Sequence, residues 1–258
     1  MTGSMWSVVV DRVRVAVVIA GALAVGCGTG VAQRSQVGWG LAEEVYPFLG
    51  ADWGGNVFVG ASLPFGVVKV GPDMETFDGR ASHPGYWSAG KIRGFSHTHL
   101  SGAAGKYGNV LVMPTTGKLD PADIVSPRED EVDHPGFYAA TLTRYKVRAE
   151  MTVSRRVAVH RYTFPASGQA HLTVDLDHCL GKGTGWEDQK FLGGSLKLVS
   201  DHEVQGVGRY TGGWNRGGEY RVYFDIVLDT PSTSEQMWVG KSLDSRREAT
   251  IAEDEPFG

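Results

Sequence analysis

A chain of 258 residues is long enough to bury a sizeable core, as one large β domain or two small ones. Its 36 glycines, about twice the usual ~7% share, together with 11 prolines and 7 tryptophans, suit short strands and tight turns rather than long helices. The formal charge of −4, with no run of Lys or Arg longer than two, leaves no basic footprint for nucleic acid.

In chain order, Arg12 and Arg14 precede the apolar run "VAVVIAGALAVGC", residues 15–27. A bilayer span takes roughly 20 apolar residues, so this run is too short. A basic lead, an apolar stretch and then small residues read as an export signal over residues 1–33. "AVGC", residues 24–27, resembles a bacterial lipobox that would make Cys27 the lipidated residue, although Ala24 stands where Leu is preferred. Cleavage after Ala32 is the alternative. Export implies an oxidising compartment, but with Cys27 lipidated Cys179 has no partner, and no disulfide is expected.

Strand signals dominate residues 41–258. "NVLVMP" (109–114) reads as a short apolar strand ended by Pro, and "SPREDEVDHPG" (126–136) as a solvated loop leading into a strand. "KVRAEMTVS" (146–154), "RRVAVHRYTF" (155–164) and "GSLKLVS" (194–200) are rich in β-formers. "HLTVDLD" (171–177) alternates through Leu172, Val174 and Leu176, and "YRVYFDIVLD" (220–229) through Val222, Phe224, Ile226 and Leu228. Turn residues recur every eight to twelve positions or so, which predicts an all-β, antiparallel β-sandwich of one domain. The charged last stretch, "SRREATIAEDEPFG", closes no element and reads as a chain cut off rather than finished.

The motif richest in chemistry is "GFSHTHLSG", residues 94–102. On a strand, His97 and His99 would stand side by side on one face. That suits two metal ligands, with His83, His134 or His160 as a third, but no spacing singles one out. Hydrogen bonding that lines a polar site is the preferred reading. The Gly-rich "GAAGKYG" (102–108) and "GKGTG" (181–185) lack phosphate-loop spacing and read as loops. "DMETFDG" (73–79) is out of register with a calcium-binding EF-hand loop. Asp175, Asp177, Glu187 and Asp188 include no evident acid–base pair and read as surface carboxylates. Cys179, beside His178, reads as a small buried residue rather than a nucleophile. Trp53, Trp87, Trp186 and Trp214 lie in polar, Gly-rich surroundings, where a ring offers an apolar face to a sugar while its edge stays wet.

Three stretches, "VYPFLGADWGGNVFVGASLPFGVVKVGPD" (45–73), "GYWSAGKIRGFSHTHLSGAAGKYGNVLVMPTTG" (85–117) and "PGFYAATLTRYKVRAEMTVSRRVAVHRYTFP" (135–165), resemble the N-terminal domain of family 92 glycoside hydrolases, the calcium-dependent exo-α-mannosidases. The resemblance implies a β-sandwich packed against a larger (α/α)6 barrel, with a mannose-containing glycan bound between them. In that family the acid and base, acting with inversion, belong to the barrel, so no residue here is expected to be catalytic and the chain alone is expected to be inactive. Calcium is implied for the full-length enzyme, with no ligand assignable to this chain. The resemblance places Asp52, Trp53, Tyr86, Trp87, His97, His99 and Ser101 at or behind a mannose subsite, or has them order a loop that faces the barrel. Two other readings stand beside it: a stand-alone surface carbohydrate-binding lipoprotein without hydrolase activity, and a metal-dependent enzyme using His97 and His99.

Overall fold

The computed structural model describes residues 6–11, 42, 44–52, 55–75, 85–102, 107–166, 169–181, 188–213, 218–239, 242–244 and 248–251. Among them there is no α-helix, and every strand ladder is antiparallel. Three sheets form. The largest runs, side by side, β15 (Ser242–Asp244), β14 (Glu235–Val239), β1 (Trp6–Asp11), β10 (Ala170–Asp175), β5 (Leu111–Thr116), β4 (Ile92–Ser96), β3 (Lys69–Met74) and β2 (Ala61–Ser62). A second sheet is a meander of β6 (Arg128–His134), β7 (Phe137–Leu142), β8 (Val147–Val153) and β9 (Ala158–Thr163). The third runs β13 (Tyr220–Val227), β12 (Glu203–Thr211), β11 (Lys190–Leu198) and β16 (Glu248–Ile251).

The second sheet lies on a face of the first, with β8 crossing β2, β3 and β5. Between them sit the fully buried Ile92, Phe95, Met113, Tyr138, Leu142 and Met151. The Phe95 and Tyr138 rings meet at a centroid distance of 6.2 Å, tying β4 to β7. Truncating a ring at such a contact costs about 3–5 kcal/mol, because the hole left cannot fully collapse. The sandwich expected from the turn spacing is therefore present.

Several local expectations change. β10 was read as half-buried, but its central place buries Thr173 and Asp175 as well as Leu172 and Val174. Asp175 and Asp177 are consequently not surface carboxylates, and the Asp177 N–H donates to Asp175 Oδ1 at 3.0 Å. β5 does not stop at Pro114. It continues to Thr116 because β4 pairs with it only at Phe95↔Val112, so no ladder bond on that side needs the missing N–H. The acidic stretch expected as a loop is β6, with Asp133 buried and its register shifted between Glu129 and Val132. β13 alternates as read: Val222, Phe224 and Ile226 pack against the core while the residues between them are exposed.

Trp6–Asp11, inside the segment read as an export signal, pairs with β10 on one side and β14 on the other, with Val8 opposite both Val174 and Met237. Cys27 and the rest of that segment's apolar run lie outside the described residues.

Candidate functional site

The motif "GFSHTHLSG" leaves the strand early: β4 ends at Ser96, so His97 and His99 are not neighbours on a pleated face. Each goes to a different partner. His99 is buried, with Nε2 2.6 Å from Asp73 Oδ1 and 3.2 Å from Ser96 Oγ, and Nδ1 2.9 Å from the Lys69 carbonyl. The other oxygen of Asp73 lies 2.7 Å from His178 Nε2. One fully buried carboxylate thus bridges two imidazoles, one of them carried by a segment more than a hundred residues further along the chain than Asp73 itself. Burial alone would raise the Asp73 carboxyl, but the His99 charge and the hydrogen bonds from His178 and His99 outweigh it. They hold the group well below the usual carboxylate range. Gly85 completes the cradle: its φ of +94 would strain any side chain, and a Cβ there would sit 2.7 Å from Asp73 Oδ1.

His97 turns to β9. Val110 O can only accept, so His97 Nδ1 donates to it at 2.7 Å. His97 Nε2 then accepts from His160 Nε2 at 3.0 Å, and His160 Nδ1 accepts from the Tyr162 hydroxyl at 2.8 Å. In this polarised chain both rings are neutral, and a proton added to His97 Nε2 would face the His160 N–H. Burial lowers His97 to about 4 and drives His160 well below its ordinary value.

The loop "GYWSAG", residues 85–90, is fixed from several directions. Gly85 O accepts from Met74 N at 2.9 Å, Gly90 N donates to Trp87 O at 3.0 Å, and Ser88 N donates to Asp52 Oδ1 at 2.9 Å. The Arg128 guanidinium reaches under it from β6. It donates to Ser88 O at 3.0 Å, Trp87 O at 3.4 Å, Tyr86 Oη at 3.1 Å and also Gly90 O, and it lies over the Tyr86 ring 5.2 Å from the centroid. Arg128 Nε is 2.8 Å from Glu131 Oε2, which also accepts from the Tyr86 hydroxyl at 3.1 Å. Glu131 Oε1 takes the Tyr138 hydroxyl at 2.6 Å. Burial and the Glu131 charge push the Tyr86 and Tyr138 phenols upward, so both remain donors. Further along β6, buried Asp133 accepts from Gly60 N at 3.0 Å through Oδ2, and its Oδ1 has no partner among the described residues. Burial raises its carboxyl to about 7, against the Gly60 hydrogen bond that lowers it, and the Glu131 charge adds to the rise.

Of the residues the sequence pointed to, Asp52 reaches this loop at Ser88, next in the chain to Trp87, and Asp52 and Trp87 are both partly exposed. Ser101 is exposed, and its hydroxyl accepts from Phe58 N at 3.2 Å. Tyr86, His97 and His99 lie behind them, with their polar atoms engaged inside the fold. Trp53, Trp186, Trp214, His83 and most of the two Gly-rich loops lie outside the described residues. Cys179 is buried and its thiol faces the Gln189 carbonyl at 3.8 Å. Sequence reasoning missed Arg128, Glu131, Asp133, Asp73, His160 and His178 as members of these networks. For the first three, the density of charge in "REDEVDH" masked a strand.

Among the described residues no three His, Cys, Asp or Glu side chains gather as a metal would require. Both oxygens of Asp73, the first carboxylate of "DMETFDG", are taken by imidazoles.

The model of the glycosyl hydrolase family 92 N-terminal domain matches residues 44–255, and the chain belongs to that family. It is similar to a family GH92 alpha-mannosidase from Bacteroides thetaiotaomicron solved in complex with mannoimidazole, with a TM-score of 0.66 and 30% identity over 83% of this chain and 30% of that one. A further gh92 family glycosyl hydrolase superposes with a TM-score of 0.58 and 27% identity over 77% of this chain and 29% of the other. A curated relative, an uncharacterized secreted glycosidase of Arthroderma benhamiae, is 34% identical over 138 residues, 48% of this chain and 17% of the relative. The chain thus spans under a third of the length of each of these proteins.

Proposed function

We propose that this domain supplies one wall of the mannose subsite of an exo-acting α-mannosidase whose general acid and base stand on a separate (α/α)6 domain. The observation that carries the reading is the Trp87 loop. Trp87, whose partly exposed indole also packs against the core, lies on a loop tied to the Asp52 carboxylate by the Ser88–Asp52 hydrogen bond and shaped by the Arg128 fork. An aromatic face beside a carboxylate is how proteins grip a pyranose, apolar C–H groups on the ring and hydroxyls on the acceptor. Val45, Tyr46 and Leu49, each at least half exposed, border the same region, since the Tyr46 ring packs on Phe48 and Phe48 on Tyr86. Exposed apolar side chains around a polar subsite fit a surface that a second domain covers. His99 supports the loop from behind through Asp73, against which Gly85 packs.

The test is saturation-transfer NMR with methyl α-mannoside. Transfer to the sugar from the protein, lost in Trp87→Ala and absent with methyl α-glucoside, is expected. Equal transfer in wild type and Trp87→Ala would sink the reading. Export, with lipidation at Cys27, is part of the proposal and is supported by the lipobox-like "AVGC" and by the secreted relative. Because Trp6–Asp11 pairs inside the large sheet, N-terminal sequencing of the exported protein is the deciding measurement: a start at Cys27 means that maturation removes β1.

A further inference from the structure

Arg128 and Glu131 lie in the acidic stretch 126–136 that reads as a solvated loop, yet both reach the 85–90 loop. Guanidinium donors reach three of the loop's backbone carbonyls, those of Trp87, Ser88 and Gly90, and its one phenol, while the cation covers the Tyr86 ring. Glu131 fixes the guanidinium by its Nε edge and ties the arrangement to the core through Tyr138, which is fully buried. Backbone carbonyls of a turn ordinarily face water. Gathering three of them on one planar cation sets the turn's shape, and a planar fork does this where a point charge cannot.

We infer that Arg128, oriented by Glu131, is the positioning residue of the sugar wall: it sets the attitude of the Trp87 indole without touching the ligand. The inference rests on the reading of Trp87 as a mannose contact. It assigns a role in ligand geometry to a strand whose composition suggests only a solvated surface. Arg128→Lys is the informative substitution, because it keeps the positive charge that Glu131 needs and removes the fork. Arg128→Gln, which also removes the charge, is the harsher companion.

The experiment combines amide hydrogen exchange with NMR titration of methyl α-mannoside on the same four proteins: wild type, Arg128→Lys, Trp87→Ala and the double variant. In Arg128→Lys the amides of residues 86–90 are expected to exchange at least about tenfold faster while those of β5 and β7 hold their protection. Mannoside affinity should weaken about tenfold, and adding Arg128→Lys to Trp87→Ala should weaken it no further. Unchanged exchange in the loop overturns the positioning role whatever the sugar does. Faster exchange throughout β5 and β7 also overturns it, since Arg128 would then serve general stability. If the loop loosens in Arg128→Lys but Trp87→Ala binds mannoside like wild type, positioning of the loop is upheld and the mannose reading is the part that fails.

Discussion

Asp133→Asn isolates a single buried proton. In the fold this carboxyl is held near pH 7, against 3.8 for the free group, by burial and by the neighbouring Glu131 charge. Between those values the folded chain keeps a proton that the unfolded chain has released. The unfolded state binds fewer protons, and stability falls as pH rises. Each pH unit is worth about 1.4 kcal/mol, so the penalty grows to about 4 kcal/mol by pH 7 and then levels off. Asparagine keeps an oxygen for Gly60 N and puts an uncharged NH2 where Oδ1 now has no described partner. Thermal melts followed by circular dichroism at pH 4 and pH 8 provide the assay. The variant and wild type should melt together at pH 4, and the variant should melt about 10 °C higher at pH 8, taking roughly 2–4 °C per kcal/mol for a domain of this size. Melting curves that differ by the same amount at both pH values would refute the account, because a neutral packing change carries no proton dependence.

Asp73→Asn leaves His99 and His178 without their shared anion, and chemical denaturation should show a loss of about 3–5 kcal/mol, as when one partner of a buried pair is removed. His97 carries the opposite pH sign to Asp133. Its ring stays neutral in the fold down to about pH 4 but gains a proton near 6.5 when unfolded, so stability present above 6.5 drains away on acidification, by about 3 kcal/mol at pH 4. Urea midpoints measured between pH 4 and 7 should therefore depend less on pH in His97→Asn than in wild type, and an unaltered slope would remove His97 as the source. Gly85→Ala should cost at least about 1 kcal/mol, from its φ of +94 and the approach to Asp73, and a midpoint equal to that of wild type would show that the 85–90 loop adapts freely.

What the sequence revealed and what it hid divide along physical lines. Period-2 alternation marked β13 because one of its faces packs on the core and the other meets solvent. The same rule misjudged β10, since a central strand buries both faces and Thr173 and Asp175 pass for solvent-facing residues when read alone. It failed on β6 because the inward positions there are charged, and charge inside a fold is invisible until its partners are known. Those partners are distant in the chain: Arg128 meets residues 86–90, and Asp133 meets Gly60. "GFSHTHLSG" and "GYWSAG" were legible as a site from residue chemistry and resemblance. The carboxylate beneath them was not, because Asp73, His99 and His178 converge only through the pairing of β3 with β4 and the turn after β10.

Among the described residues, β6 also forms one margin of its four-stranded sheet, pairing with β7 alone. A margin of that kind offers unpaired N–H and C=O groups to any passing strand, and regular, apolar examples seed aggregation. Here five of seven residues are charged, the register is broken between Glu129 and Val132, and Asp130 takes φ +50, so no straight template is presented. The strand that braces the Trp87 loop therefore also guards the molecule against its own copies, through its exposed Glu129 and Asp130. Replacing Glu129 and Asp130 with Val or Thr would raise strand propensity while inviting edge-to-edge association.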